Sequence, residues 1–177
     1  MNTSQPTEKE GSPNEAMSSS ELADFAALLK KQAQRVVGKL PLLGAVGWLM
    51  MQQTATRHTL LSELEWRVMP ALVLDQAKLY MRDDSPIAYV SWATLSEPVA
   101  QRYSAAPHQL TASDWQSGEQ VWIVDLFVPF GGAQEVMNDL RTTVFAGRPV
   151  HQLHMGADGR LKSMTWPAQQ GDTTPRP

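Results

Sequence analysis

The chain has 177 residues, 42% of them hydrophobic and 19% charged, with a formal net charge of −3; that is enough for one domain with a real core and cramped for two. Mild acidity, with no stretch in which aromatic residues alternate with Lys or Arg, excludes the basic stripe expected of a nucleic-acid-binding protein. There is no cysteine, which removes disulfides, thiolate metal sites and cysteine nucleophiles and suits an intracellular setting.

The first 17 residues are rich in Ser, Pro, Asn, Thr and Glu. They have almost nothing to bury, so a disordered tail is expected; they also lack the basic start and apolar run of a signal peptide. Ser18 with Glu21 fits a capping box, and Leu22, Phe25, Ala26, Leu29, Val36, Val37 and Leu40 mark one helical face that ends by Gly38 to Pro41. A second, largely apolar helix is expected from Leu42 to about Gln53, and "LPLLGAVGWLMM" (Leu40 to Met51) is too short to span a bilayer, which takes about 20 apolar residues. "TATRH" reads as a break, followed by helix from Leu60 to about Met69 that Pro70 ends.

The pattern then changes. "AKLYMR", "DDSP" and "IAYVSWAT" predict an antiparallel hairpin, with β-formers on either side of a turn cluster. A polar helix from Glu97 to Ser104 and a loop lead to "VWIVDLFV", whose near-continuous apolar character predicts a central strand buried on both faces. "GGAQEVMNDLRTTVF" follows as two glycines and an amphipathic helix. "RPVHQLHM", "GADG" and "RLKSMTW" form a terminal hairpin, and residues 168–177 return to tail composition. Helices first, then hairpin, helix, strand, helix and hairpin describe an α/β or α+β sheet domain over residues 18–167 with helices covering the sheet.

Asp125 stands out because it interrupts that apolar strand. A carboxylate there is desolvated, which raises its pKa or demands a cationic or hydrogen-bonding partner; a structural pairing with an arginine and a functional acid both satisfy that demand. Gly131 and Gly132 precede a helix, where free N–H groups could hold a phosphate or a pantetheine carbonyl, although a plain turn has the same sequence. His151 and His154 are three apart on a strand, so their rings point to opposite faces and no metal site is expected. His108 falls in a polar loop, and His58 beside Arg57 falls in the break between helices, able to project at the edge of a cleft.

Two motifs in order, "RDDSPIAYVSWATL" and "DWQSGEQVWIVDLFVPFGG", resemble those of the RTX toxin-activating lysine acyltransferases, in particular members that accompany large multifunctional RTX toxins. The resemblance runs from about Gly44 to Trp166. It implies an α/β fold of the GNAT type, with a mostly antiparallel mixed sheet flanked by helices and an extra N-terminal helix here. It also implies a cytoplasmic homodimer that moves a fatty acyl chain from acyl carrier protein to lysines of an RTX protoxin, with no metal and no bound cofactor. Asp125 matches the family's essential aspartate. A lysine near neutral pH is unprotonated in only about one molecule in a few thousand, a deficit of about 4 to 5 kcal/mol that a base or a desolvating site must offset.

Family members use a histidine for this, and in this chain its position, eight residues after Trp48, is Thr56 followed by Arg57. Thr56 is no base near neutral pH, and lacking one costs about 10² to 10⁴ in rate. His58 substitutes only if residues 56–58 are extended, since on a helix the two side chains diverge by about 200°. Arg67 replaces a small polar residue and Gln120 an Arg or His. The first reading is therefore an acyltransferase with His58 and Asp125 as catalytic residues and Thr56, Arg57, Gly131 and Gly132 contacting substrate. The alternatives are a non-catalytic relative that binds toxin or carrier protein, and an acetyl-CoA-dependent GNAT enzyme, against which the short glycine turn speaks.

Overall fold

A computed structural model describes residues 18–105, 110–156 and 159–168. The chain divides into two compact units, residues 1–35 and 36–177. In the first, Ser18 and Glu21 form the expected capping box: the Glu21 amide donates to Ser18 Oγ at 3.3 Å and the Ser18 amide to Glu21 Oε2 at 2.7 Å. Leu22, Phe25, Leu28 and Leu29 are exposed on this segment.

Helix α1 runs without interruption over Ser19–Gln52 and contains Pro41. The expected break at Gly38 to Pro41 does not occur. A proline inside a helix loses one hydrogen bond and crowds the preceding turn, but Val46, Leu49 and Met50 beyond it are buried against Tyr89, Phe127, Val68 and Leu72, and that packing outweighs the local penalty. The Leu60–Met69 helix is also different: a 3-10 turn (Leu61–Glu63) precedes α2 (Leu64–Arg67) and α3 (Met69–Val73). Pro70 lies in the first turn of α3, where its missing N–H costs nothing, so it starts a helix instead of ending one.

Strands β1 (Ala77–Arg82), β2 (Ser85–Leu95), β3 (Gln120–Phe127), β4 (Val150–Met155) and β5 (Leu161–Trp166) form one sheet in chain order. All neighbours are antiparallel except β3 and β4, which are parallel. With α4 (Glu97–Ala105) and α5 (Ala133–Thr143) the architecture is the mixed, helix-flanked sheet of a GNAT-like acyltransferase fold. Strand β3 is central, as its composition predicts.

The two faces of the sheet have separate cores. Val90, Trp92, Val121 and Ile123 pack on Val136, Met137 and Leu140 of α5. Ala93, Leu95 and Trp122 pack on Val99, Ala100 and Tyr103 of α4, while Tyr89 and Phe127 meet α1. The "DWQSG" turn is tied to β2 by backbone bonds from Thr94 N to Trp115 O (2.9 Å) and from Gly118 N to Thr94 O (3.0 Å). A Cβ on Gly118 would come within 2.4 Å of Ser96 Cα, so this close backbone approach requires glycine.

Candidate active site

The placement of Asp125 follows from the pairing of β2 with β3. Ser91 faces Asp125 but Trp92 faces Ile123, so Val124 is an extra residue with no partner on β2. Such a β-bulge re-aims every side chain beyond it. Val121 and Ile123 point to the α5 face; after the bulge it is Leu126 and Val128 that pack there, and Phe127 joins the opposite core. Strict alternation would have sent the carboxylate of Asp125 toward α5. The bulge turns it to the face covered by α1 and α2, where a cation waits.

That cation is Arg67, from the last turn of α2. Its Nε lies 2.8 Å from Oδ1 and 2.9 Å from Oδ2 of Asp125, and its Nη2 also donates to Oδ1. The Asp125 side chain is 2% exposed and that of Arg67 25%. The guanidinium carbon also sits over the Phe127 ring, 5.7 Å from its centre, and that ring stacks on Tyr89; the two-oxygen clamp fixes the guanidinium plane. Burial pushes the Asp125 carboxyl above its ordinary value, and the Arg67 hydrogen bonds and charge offset part of that rise. Arg67 stays protonated, its pKa raised by Asp125 against the opposing effect of burial. Burial and the nearby Asp125 charge also raise the Tyr103 hydroxyl to about 12. Ser91, opposite Asp125 on β2, and Tyr89 bury their hydroxyls, which among the described residues meet no hydrogen-bond partner beyond each other.

Asp125 and Arg67 line a cavity of about 270 Å³ together with Gln53, Thr56, Gln152 and neighbouring β3 residues. Gln53 braces its rim by accepting a hydrogen bond from the Val128 amide at 3.0 Å. Thr56 is buried there, and its hydroxyl donates to the Met50 carbonyl at 2.9 Å, closing the C-terminal end of α1. The structure therefore brings Thr56 and Asp125 to one cavity.

It does not bring His58 or Arg57 to that lining. Residues 54–58 run in consecutive turns, with Thr56 N and Arg57 N both bonded to Gln53 O at 3.0 Å, so the extended arrangement is not adopted. His58 is exposed, and Arg57 is exposed with its Nη2 on Thr54 Oγ1 at 3.0 Å. Gly131 and Gly132 line a different cavity, of about 600 Å³, with Tyr80, Arg82, Phe130 and Glu135. Both glycines have positive φ, 86° and 84°, and Gly132 is the N-cap of α5. Arg67 is the residue that sequence reasoning left out of the site; the signal was its departure from the small polar residue of the resembled family.

The other histidines stand apart. His151 stacks on Trp122 at 5.0 Å with Nδ1 3.0 Å from Thr165 Oγ1, and burial lowers its pKa. His154 is exposed further along β4, and His108 lies outside the described residues. Among the described residues no cluster of three or more His, Asp or Glu is arranged to hold a metal, and no helix is long and apolar enough to cross a membrane.

Residues 35–166 match the model of the RTX toxin acyltransferase family. The chain belongs to that family. Among similar RTX acyltransferases, the lysine-acyltransferase RtxC of Vibrio cholerae is 33% identical over 123 residues, covering 68% of this chain and 75% of its own. The leukotoxin-activating lysine-acyltransferase LktC of a Pasteurella haemolytica-like species is 35% identical over 112 residues, 63% of this chain and 68% of its own. The protein-lysine myristoyltransferase HlyC of Escherichia coli is 39% identical over 92 residues, 52% of this chain and 54% of its own. The family match covers β1 to β5 and the whole Asp125 cavity.

Proposed function

We propose that this chain is a protein-lysine acyltransferase that activates an RTX protoxin, taking a fatty acyl chain from the phosphopantetheine arm of acyl carrier protein and placing it on lysine ε-amines. It acts in the cytoplasm as a homodimer. The observation that carries this reading is the family match over residues 35–166, with the aspartate of the matching motif buried at a cavity wall.

The acceptor lysine enters the cavity beside the Asp125–Arg67 pair as the neutral amine, because the guanidinium on both carboxylate oxygens leaves no net negative charge there to draw an ammonium group. The Gly131 amide already donates to the Val128 carbonyl at 3.0 Å, so it is the first-turn N–H groups of α5, beyond the N-cap Gly132, that meet the pantetheine arm, and Arg57 meets the carrier's phosphate at the surface. His58 is exposed off the cavity lining, so it can serve as base only for a lysine held outside the cavity. The test is purified protein with carrier protein bearing a long acyl chain and a cognate RTX protoxin, read by mass spectrometry of the protoxin lysines. Acylation that survives His58→Gln but not Asp125→Asn removes His58 from the chemistry while keeping the activity. No acylation of a protoxin that another family member does acylate refutes the enzyme.

A second reading has its own observation. Both Asp125 oxygens are engaged by Arg67 and the Thr56 hydroxyl by Met50, as suits a relative that binds protoxin or carrier protein without turnover. In that case Asp125→Asn leaves partner binding and any cellular phenotype intact.

A further inference from the structure

We propose that Arg67 is a catalytic residue of this chain, donating a hydrogen bond from Nη1 to the acyl oxygen as negative charge develops on it during transfer. This rests on the acyltransferase reading above. Three observations lead to it. The guanidinium reaches Asp125 through Nε and Nη2, whereas Nη1 has no acceptor among the described residues. Arg67 lines the same cavity as Thr56 and Asp125. Its plane is held by hydrogen bonds to both carboxylate oxygens, with the Phe127 ring beneath its carbon, which is the preorganisation an oxyanion donor needs, since no reorientation is then required as charge forms.

The chemistry matches what the cavity lacks. Thr56 has no basic atom and its hydroxyl is already donating to Met50, so no group at that position removes the lysine proton. The remaining route is to accept the small unprotonated fraction of lysine and lower the barrier of the later steps. The Nζ lone pair of neutral lysine attacks the thioester carbon, forming C–N while the C=O π pair moves onto oxygen, where Nη1–H meets it. The tetrahedral species collapses with cleavage of C–S, whose electron pair leaves on sulfur. The ammonium proton passes to that thiolate. Amide and free thiol result, with no oxidant, reductant or further reactant. Asp125 is the positioning residue that holds the guanidinium in plane and balances its charge.

Steady-state transfer from acyl carrier protein to protoxin is compared for wild type, Arg67→Lys and Arg67→Ala, each first checked by circular dichroism and a thermal melt. Arg67→Lys keeps the positive charge but loses the planar fork, so kcat falls by about 10²-fold, in the range for loss of one oxyanion donor, while KM for either substrate changes less than about threefold. Arg67→Ala loses at least as much, and millimolar guanidinium restores part of kcat. Should Arg67→Ala fail to fold, the kcat against KM split of Arg67→Lys decides alone. Folded Arg67 variants with wild-type kcat, or with a raised kcat because a clamp on Asp125 has been removed, overturn the proposal and leave the acyltransferase reading standing. Wild-type protein that transfers nothing to a verified protoxin overturns both.

Discussion

Replacing Arg67 by Met keeps a stem that packs on Phe127 but removes the charge, leaving Asp125 with a side chain 2% exposed and no cation beside it. Breaking a buried ion pair from one side costs about 3 to 5 kcal/mol. Here protonation sets a ceiling, because a stranded carboxyl can become neutral instead. From an ordinary value of 3.8, protonating it near neutral pH costs about 4 kcal/mol. We expect about 3 to 4 kcal/mol lost near pH 7. The opposite replacement, Asp125→Asn, leaves a guanidinium that is already a quarter exposed and can turn to water, so about 1 to 2 kcal/mol is expected.

The pH dependence identifies the cause. In Arg67→Met the Asp125 carboxyl has lost the partner that holds its pKa down, while the burial that raises it remains. A carboxyl whose folded pKa lies above its unfolded value contributes stability that is fully present below the unfolded value and is lost as pH rises through the folded one. The deficit of Arg67→Met therefore shrinks on acidification from about pH 7 to about pH 5, by at most about 1.4 kcal/mol per unit. Urea unfolding at the two pH values, with m unchanged, reads this directly. A deficit under about 1 kcal/mol, or one independent of pH, refutes the account of the pair.

Other substitutions test separate parts of the structure. Gly118→Ala drives a Cβ to within 2.4 Å of Ser96 Cα and 2.7 Å of Leu95 O, so at least about 2 kcal/mol should be lost in a urea titration. Thr56→Val removes the buried hydroxyl that closes α1 at Met50, and about 1 to 2 kcal/mol should go with it. The Asp139 carboxyl is held below its ordinary value of 3.8 by hydrogen bonds from Lys78 and Tyr80. That depressed pKa adds stability present above the unfolded value and lost as pH falls through the folded one. The difference between wild type and Asp139→Asn, at most about 1 kcal/mol for so exposed a pair, should therefore persist near neutrality and shrink as pH falls below the ordinary value of 3.8.

Much of this was legible from residues. The capping box at Ser18, the hairpin of β1 and β2 and the central position of β3 all rest on local chemistry that tertiary contacts did not override. Pro41 and Pro70 misled because proline's effect depends on where a helix begins, and that was decided by the burial of Val46 and Leu49 beyond one and by the start of α3 at the other. Asp125 announced itself as a charge among apolar neighbours, and its need for a cationic partner followed from desolvation alone. Which face it occupies did not follow, because the extra residue at Val124 is defined only by the register of β3 against β2. Arg67, 58 positions earlier in the chain, could be paired with it only once that face was known.

The most direct measurement is intact-mass and peptide mass spectrometry of a cognate RTX protoxin after incubation with this protein and acyl-loaded carrier protein, in parallel with folded Asp125→Asn. Lysines carrying the acyl chain with wild type, and transfer at least about 10²-fold slower with the variant, are the predicted result. Equal acylation by both proteins, or none by wild type on a protoxin that a related enzyme modifies, contradicts the account.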